Sequence, residues 1–445
     1  DLNSLYPHLI MQYNISPETY YDVKTNGVNV DNMLSQQVNL KFAKDKNITI
    51  APNGAMFRRD KQGFLPELMD KMYGDRVIYK KKMMEAKKEF QKTKDPIYKN
   101  EIARCHNIQM AKKIALNSAY GAIGNQYFRY FDVKQAEAIT LGGQLSIRWV
   151  ERDVNKFMNK VLETDNQNYV VASDTDSIYI SMGKLVDKVC KDKTPQQISD
   201  FLDKVSEQKL QKVIDKSFDN LADYVNAFQQ KMVMKREAIA NKGIWVAKKR
   251  YMLNLFDEEG IRYEYPKLKV MGVEAVKSST PEICRTKIKE AIRVIMNESE
   301  DDLIKYVADF KETFKTLSPE EVAFPRSCNN LMKFADSSSI YKKGTPIHVK
   351  GALIYNYHLH KHKLEMKYPV IRDGDKIKFL MLKIPNNIKD TVISFSSRIP
   401  YEFDLHKYVD YDLQFQKTFT DPLKFILDSI GWKLEREATL EAFFG

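Results

Sequence analysis

Apolar residues recur along much of the chain at helical spacing, and the interruptions are sharp. Leu5, Leu9 and Tyr13 lie four apart behind Ser4 as candidate N-cap, with Pro7 in the first turn, which predicts a short helix ending before Pro17. Pro52-Asn53-Gly54 is a turn signal, and Gly63-Phe64-Leu65-Pro66 opens a long helical pattern. Leu65, Leu68, Met69 and Met72 give that helix an apolar face, whereas its later half, with Lys80, Lys81, Lys82, Lys87 and Lys88, is basic. Asp95-Pro96 breaks it, and a second long helix is expected over about 98–120, ending at Gly121 and Gly124. Together the two predict an antiparallel helical hairpin. A helix-like stretch at 136–162 follows, and then the period changes to that of a strand. Tyr169 to Ser173 and Ile178 to Ile180 flank Asp174-Thr175-Asp176-Ser177, which reads as a β-hairpin with an acidic tip. The region 231–276 is strand-rich, the chain turns helical again after Pro281, and it ends basic and irregular with an aromatic tail. There is no internal repeat and no low-complexity tract.

Composition narrows the class. With 445 residues, 43% of them hydrophobic, the chain can bury the cores of two or three domains, which excludes a small disulfide or zinc scaffold. The 71 Lys and Arg against 59 Asp and Glu leave a formal charge of +12, which makes a polyanion such as nucleic acid the first suspect as partner. Cys105, Cys190, Cys284 and Cys328 form no C-x-x-C pair, as in a reducing compartment. No apolar run is long enough for a membrane span and no signal-peptide pattern opens the chain, so a soluble cytoplasmic protein is expected. The chain starts at Asp1 rather than Met, so a processed product or a piece of a longer protein is also expected, with the strand feeding the first turn lying before Asp1.

Two acidic motifs carry candidate chemistry: Asp1-Leu2-Asn3-Ser4-Leu5-Tyr6-Pro7 and Ser173-Asp174-Thr175-Asp176-Ser177. Carboxylates at strand ends are hard oxygen ligands suited to Mg²⁺, which binds through one or two carboxylates together with substrate phosphates. Taken alone, Asp-Thr-Asp-Ser is equally a turn made of turn-forming residues. A third element adds weight: Lys113, Asn117 and Tyr120 fall at i, i+4 and i+7 and share one helix face. Arg76 and Lys80 are again four apart, so two antiparallel helices could aim three cations at a triphosphate, although an isolated basic pair reads as a solvated face. His358, His360 and His362 could share one face of a strand, but no acidic or Cys ligand accompanies them and lysines interleave, so no metal is assigned there. The lysines of 80–88 and 361–367 read equally as solvated faces or as phosphate-tracking surfaces.

These motifs resemble the polymerase portion of family B (alpha-like) DNA polymerases. Asp1-x-x-Ser4-Leu5-Tyr6-Pro7 matches that family's motif A, Lys113-x-x-x-Asn117-Ser118-x-Tyr120-Gly121 its motif B, and Asp174-Thr175-Asp176-Ser177 its motif C. The segments Asn14-Ile15-Ser16-Pro17-Glu18-Thr19, Arg236-Glu237-Ala238-Ile239-Ala240, Lys248-Lys249-Arg250-Tyr251, Lys267-Leu268-Lys269 and Lys277-Ser278-Ser279-Thr280 are similar to the replicative branch of T-even-type bacteriophages. The resemblance implies an α+β right hand: an antiparallel-sheet palm over 1–62 and 125–272, helical-hairpin fingers over 63–124, and a mainly helical thumb over 273–445. It implies two Mg²⁺ ions held by Asp1, the Leu2 carbonyl and Asp176, with Asp174 a nearby tuning carboxylate and Glu237 an auxiliary acid. Ser4 and Leu5 amides would receive phosphate oxygens. Arg76, Lys80 and Lys113 would grip the triphosphate, with Lys113 donating a proton to pyrophosphate. Tyr6 would sit beneath the deoxyribose, Asn117, Tyr120 and Gly121 would line the nascent base pair, Lys249 and Tyr251 would grip the primer end, and Lys267 and Lys269 would follow the duplex.

Partners implied are primer-template DNA, dNTPs, an N-terminal exonuclease-bearing polypeptide or domain, and a sliding clamp bound by Leu440, Phe443 and Phe444. The sequence departs from the family in two respects. Ala172-Ser173 replaces the usual Tyr-Gly before the first motif C acid, and no exonuclease acids precede motif A. A catalytically silent subunit would be expected to lose Asp1, Asp176 or Lys113, and a two-metal nuclease has no use for the cationic trio or Tyr6.

Overall fold

Helix α1 (Leu5–Tyr13) is the element around which the first unit is built: Leu5 and every residue from Pro7 to Tyr13 are buried. It packs against α2 (Phe64–Thr93), α3 (Ile97–Ile123) and α4 (Val133–Leu162). The approach to α4 is close because Gly142 and Gly143 carry no side chain; a Cβ at either would already lie 3.3 Å from Tyr13 or Leu5. The segment Asn14 to Glu18 then organises the start of α2. Asn14 Oδ1 accepts the Gly63 N–H at 2.8 Å, and the Glu18 carboxylate accepts the Phe64 N–H at 2.6 Å. Orphan amides of the helix start are thus satisfied by residues that the sequence places 45 or more positions earlier.

The structure is a computed structural model describing residues 1–21 and 27–434, so Leu440, Phe443 and Phe444 lie outside the described residues. It divides into two units, Asp1–Ile239 with Asp257–Arg262, and Ala240–Phe256 with the described part of Tyr263–Gly445.

In the first unit α2 and α3 form the expected antiparallel hairpin, with Met83, Ala86, Cys105, Gln109 and Leu116 buried along it. Leu65 and Met69 are buried as their spacing predicts, whereas Leu68 is exposed. Helix α3 runs through Gly121 and ends only at Gly124, because Ile123 belongs to the core and holds the last turn in place. Asp132 caps α4, its carboxylate accepting from the Lys134 and Gln135 amides. Strands β1 (Val170–Asp174) and β2 (Ser177–Ile180) then pair antiparallel, and α5 (Pro195–Val205) and α6 (Gln211–Tyr224) follow, α6 lying along α4 with Tyr224 stacked on Trp149.

The second unit carries most of a three-stranded sheet, β3 (Ala238–Ala247), β4 (Arg250–Glu258) and β5 (Ile261–Met271), in that spatial order, with residues 251–257 of the central strand buried. Helices α7 (Glu282–Asn297) and α8 (Glu300–Phe314) share a core in which Phe310 meets Phe419 at 4.8 Å. Where the sequence reads as basic and irregular, the structure has a second sheet. Strand β6 (Phe324–Ser327), helix α9 (Ile347–Lys361), β7 (Lys376–Met381) and β8 (Val392–Phe395) assemble with β7 central and antiparallel to both neighbours, and α9 packs on β8. The lysines at 376 and 378 alternate with buried Ile377 and Phe379, a strand pattern masked by its charge. His358, His360 and His362 fall on the end of α9, not on a strand. His358 and His362 therefore share a face with rings 6.1 Å apart, and His360 turns to Glu365 at 2.6 Å.

Gly272 closes the long sheet. Its φ is +68°, and a Cβ there would lie 2.1 Å from the carbonyl oxygen of Lys249, at the β3–β4 turn. Gly272→Ala should combine the left-handed penalty of about 1–2 kcal/mol with a backbone collision and lower the urea-unfolding midpoint of the second unit. Gly344→Ala, at φ +86° with nothing within 4 Å, should cost only the backbone penalty. Equal losses for the two variants would contradict the collision.

Candidate active site

The acidic tip is a tight turn. Asp174 pairs with Ser177, so only Thr175 and Asp176 span the loop, and the Asp176 N–H donates to the Asp174 carbonyl at 2.6 Å across Thr175 at φ +56°. A three-residue turn with positive φ at its centre is rare and strained for a β-branched residue. It leaves the Asp176 carbonyl free to accept the Leu2 N–H at 2.7 Å. On its other side Leu2 bridges Met234 in antiparallel sense, the Lys235 N–H donates to the Asp1 carbonyl at 2.9 Å, and the Asp1 amino group donates to the Lys235 carbonyl at 2.8 Å. Asp1-Leu2 is therefore a short strand held between the hairpin tip and the segment leading to Glu237.

This pairing concentrates negative charge. Burial, and then the neighbouring Asp174 and Glu237, push the Asp176 carboxyl above the ordinary carboxylate range, against the backbone amide and the Asp1 amino group that favour its ionised form. Burial, Tyr120 and Asp176 raise the Tyr6 phenol, which places Tyr6 within electrostatic reach of the same acid.

The floor beside the acids comes from the start of α1. Ser4 adopts a left-handed conformation at φ 53° and makes no side-chain cap, contrary to its expected role. Its hydroxyl instead accepts from Arg76 Nη1 at 3.2 Å, and its carbonyl lies 2.8 Å from His8 Nδ1. Burial lowers the His8 pKa, so the neutral ring donates that bond. Tyr6 packs on Tyr120 with centroids 4.8 Å apart and planes at 56°. Arg76 and Tyr120 thus anchor the hairpin to α1. On α3, Asn117 and then Lys113 climb away from Tyr120 at one-turn intervals, and on α2 Lys80 lies one turn further out than Arg76, whose long side chain reaches back to Ser4; Lys80, Asn117 and Lys113 are exposed. Lys112 pairs with Asp75 across the hairpin at 2.7 Å, which sets Arg76 and Lys113, their sequence neighbours, at one level.

The structure thus gathers Asp1, Leu2, Ser4, Leu5, Tyr6, Arg76, Tyr120, Asp174, Asp176 and Glu237, with Lys80, Lys113, Asn117 and Gly121 further along the same hairpin. Lys249, Tyr251, Lys267 and Lys269 belong to the second unit. There Tyr251 stacks on Trp245 at 6.3 Å, Lys249 sits at φ 60° in the β3–β4 turn, and Lys267 reaches the Tyr263 hydroxyl at 3.2 Å. Among the described residues no three His, Cys, Asp or Glu side chains come together as a ready-made metal cage. The donor set nevertheless fits Mg²⁺, which takes few protein carboxylates and completes its shell with water and phosphate oxygens.

Sequence reasoning missed the neighbours of Glu237. Arg236 reaches Asp203 at 2.7 Å and also Asp257, whose side chain is fully buried. Arg262 binds the same Asp257, Asp203 at 2.9 Å and Asp200 at 3.1 Å. The available signal was Arg236 beside the candidate acid and the compact turn Asp257-Glu258-Glu259-Gly260 that precedes Arg262.

Comparison with known proteins agrees with the motifs. Residues 1–215 match DNA polymerase family B. The DNA-directed DNA polymerase of Enterobacteria phage T4 is 31% identical over all of this chain and 55% of its own length, and that of Escherichia phage RB69 is 32% identical over all of this chain and 54% of its own. DNA polymerase 1 of Pyrococcus abyssi is 26% identical over 98% of this chain and 45% of its own length. The chain spans about half the length of the curated relatives it matches.

An acid whose folded pKa is raised favours the folded state when protonated and opposes it when ionised. In metal-free buffer at neutral pH, Asp176→Asn should therefore raise the melting temperature by a few degrees. The gain should shrink as pH falls through the raised titration of the wild-type carboxyl and vanish below the ordinary carboxylate range, where folded and unfolded chains both carry the proton. A lower melting temperature than wild type at neutral pH would contradict the crowded-acid description.

Proposed function

We propose that this chain, whose residues 1–215 match DNA polymerase family B, carries out DNA-templated DNA synthesis. The primer 3′-oxygen attacks the α-phosphorus of a dNTP, a new phosphodiester bond forms, and the bond to pyrophosphate breaks. The observation that carries this reading is the backbone pairing of Asp1-Leu2 with Asp176 and Lys235, with Asp176 in electrostatic reach of Asp174 and Glu237, beside a floor that meets the cation-bearing hairpin through Arg76 and Tyr120.

Asp1, Asp176 and the Leu2 carbonyl would hold two Mg²⁺ ions. When bound, these supply Lewis-acid stabilisation of the charge that develops on the attacking and leaving oxygens. The rest is the work of the chain's own groups. The amides of Ser4 and Leu5, at the start of α1, receive phosphate oxygens. Arg76, Lys80 and Lys113 neutralise the triphosphate, and Lys113 protonates the departing pyrophosphate. Tyr6, its ring braced by Tyr120, bars a 2′-hydroxyl, and Asn117 and Gly121 border the nascent pair. Lys249, Tyr251, Lys267 and Lys269 are assigned to the primer-template duplex, with palm over 1–62 and 125–272, fingers over 63–124 and thumb over 273–445. An exonuclease-bearing polypeptide or domain and a sliding clamp are proposed as partners.

Primer extension with Mg²⁺ and the four dNTPs tests the reaction, alone and with an exonuclease-bearing partner supplied. Asp176→Asn should slow incorporation by at least about 100-fold, and extension at the wild-type rate by that variant would sink the mechanism. Tyr6→Ala should narrow the preference for dNTP over rNTP by about tenfold or more, roughly the worth of one lost steric contact of 1–3 kcal/mol. An unchanged ratio of the two efficiencies would remove Tyr6 from the sugar-selecting role. Deleting 440–445 should leave short-primer extension intact and abolish stimulation by a sliding clamp on long templates, and retained stimulation would dismiss Leu440, Phe443 and Phe444 as clamp contacts.

A further inference from the structure

The cluster of Asp257 with Arg236, Arg262, Asp203 and Asp200 stands apart from the acids described above, yet it is one residue removed from them. Asp257 is fully buried and takes two guanidinium groups, and its carboxylate also accepts the Gly260 N–H at 3.2 Å. Arg236 is shared between Asp257 and Asp203 of α5, and Arg262 between Asp257, Asp203 and Asp200. A buried charge network of this kind is a poor way to gain stability, because desolvation offsets most of the Coulomb attraction. What it does supply is geometry, since a planar guanidinium shared between two carboxylates has one orientation.

That geometry is transmitted by the backbone. Arg236 is flanked by Lys235, whose amide and carbonyl pair with Asp1, and by Glu237, whose carbonyl accepts the Glu259 N–H at 2.7 Å from the turn beside Asp257. The segment 234–237 is thus tied to the Asp1 strand at one end and to the Asp257 turn at the other. The Arg236 guanidinium is committed to Asp203 and Asp257. We propose that Asp257, Arg236 and Arg262 form a positioning clamp that sets the spacing of Asp1 and Glu237 relative to Asp176 and thereby tunes the affinity of that acid set for divalent cations. This rests on the metal-binding reading of Asp1 and Asp176. Outer-sphere partners of metal ligands are worth about 10–100-fold in affinity when removed, and a displacement of about 1 Å is enough to cost about 100-fold in rate.

The test uses the full chain and Mn²⁺ as probe. Arg236→Lys keeps the charge but cannot fork between Asp203 and Asp257, and Asp203→Asn weakens the network from its more exposed side. Both should fold where Asp257→Asn risks leaving two buried arginines unpaired. Each should weaken Mn²⁺ binding, titrated by electron paramagnetic resonance, by about tenfold or more. In single-turnover extension the Mg²⁺ half-saturation should rise in parallel while the dNTP half-saturation stays within about twofold, a split that general destabilisation does not produce. Val154→Ala, in the core of α4, is the control: it should lower the melting temperature without moving Mn²⁺ affinity. If the two clamp variants bind Mn²⁺ like wild type, or no worse than Val154→Ala, the clamp is overturned while the metal site stands. If wild type itself binds no Mn²⁺, the metal-site reading fails and the clamp with it.

Discussion

Like charges do not gather unless something else holds them, and here that something is backbone pairing. The two-residue strand Asp1-Leu2 is hydrogen-bonded to the carbonyl of Asp176 on one side and to Met234 and Lys235 on the other. These bonds are indifferent to the charge of the side chains they carry, so Asp174, Asp176 and Glu237 are brought within reach of one another at a cost, burial first and mutual repulsion second, that the raised Asp176 carboxyl records. A site made this way is poised for a divalent cation, because the repulsion it stores is relieved when positive charge enters.

The same strand fixes the rest of the site through its continuation. Two residues beyond Leu2 the chain turns left-handed at Ser4 and enters α1, whose burial against Gly142 and Gly143 leaves it no freedom to shift. Tyr6 is consequently a fixed wall, braced by Tyr120 of α3, and Ser4 is a fixed point for Arg76 of α2. The base of the hairpin is packed into the same apolar core as α1 through Leu65, Met69 and Leu116, while its polar positions Lys80, Lys113 and Asn117 lie exposed beyond that core.

Much of this was legible in the residues. The acidic hairpin, the helical pair and the shared face of Lys113, Asn117 and Tyr120 follow from periodicity and turn chemistry, which are local. What was illegible is non-local. Nothing in Ser4 announces a left-handed turn in place of a cap, since the Arg76 that engages it is 72 positions away. Arg236 could be noted beside Glu237, but its partners Asp203 and Asp257 come from a helix and a β-turn whose meeting only the fold decides. The strand 376–381 was hidden by its lysines, because charge on the outer face of a strand reads as irregularity until the inner face is seen packed.

The central claim, that backbone pairing and not bound cation assembles the acids, is most directly tested by amide hydrogen exchange at residue resolution on the metal-free full chain. The account predicts that the Leu2 and Lys235 amides are protected without metal to the extent of interior amides of α4, with little further change on adding Mg²⁺. Exchange at the rate of an unbonded surface amide until Mg²⁺ is added would show that the cation builds the site, and would contradict it.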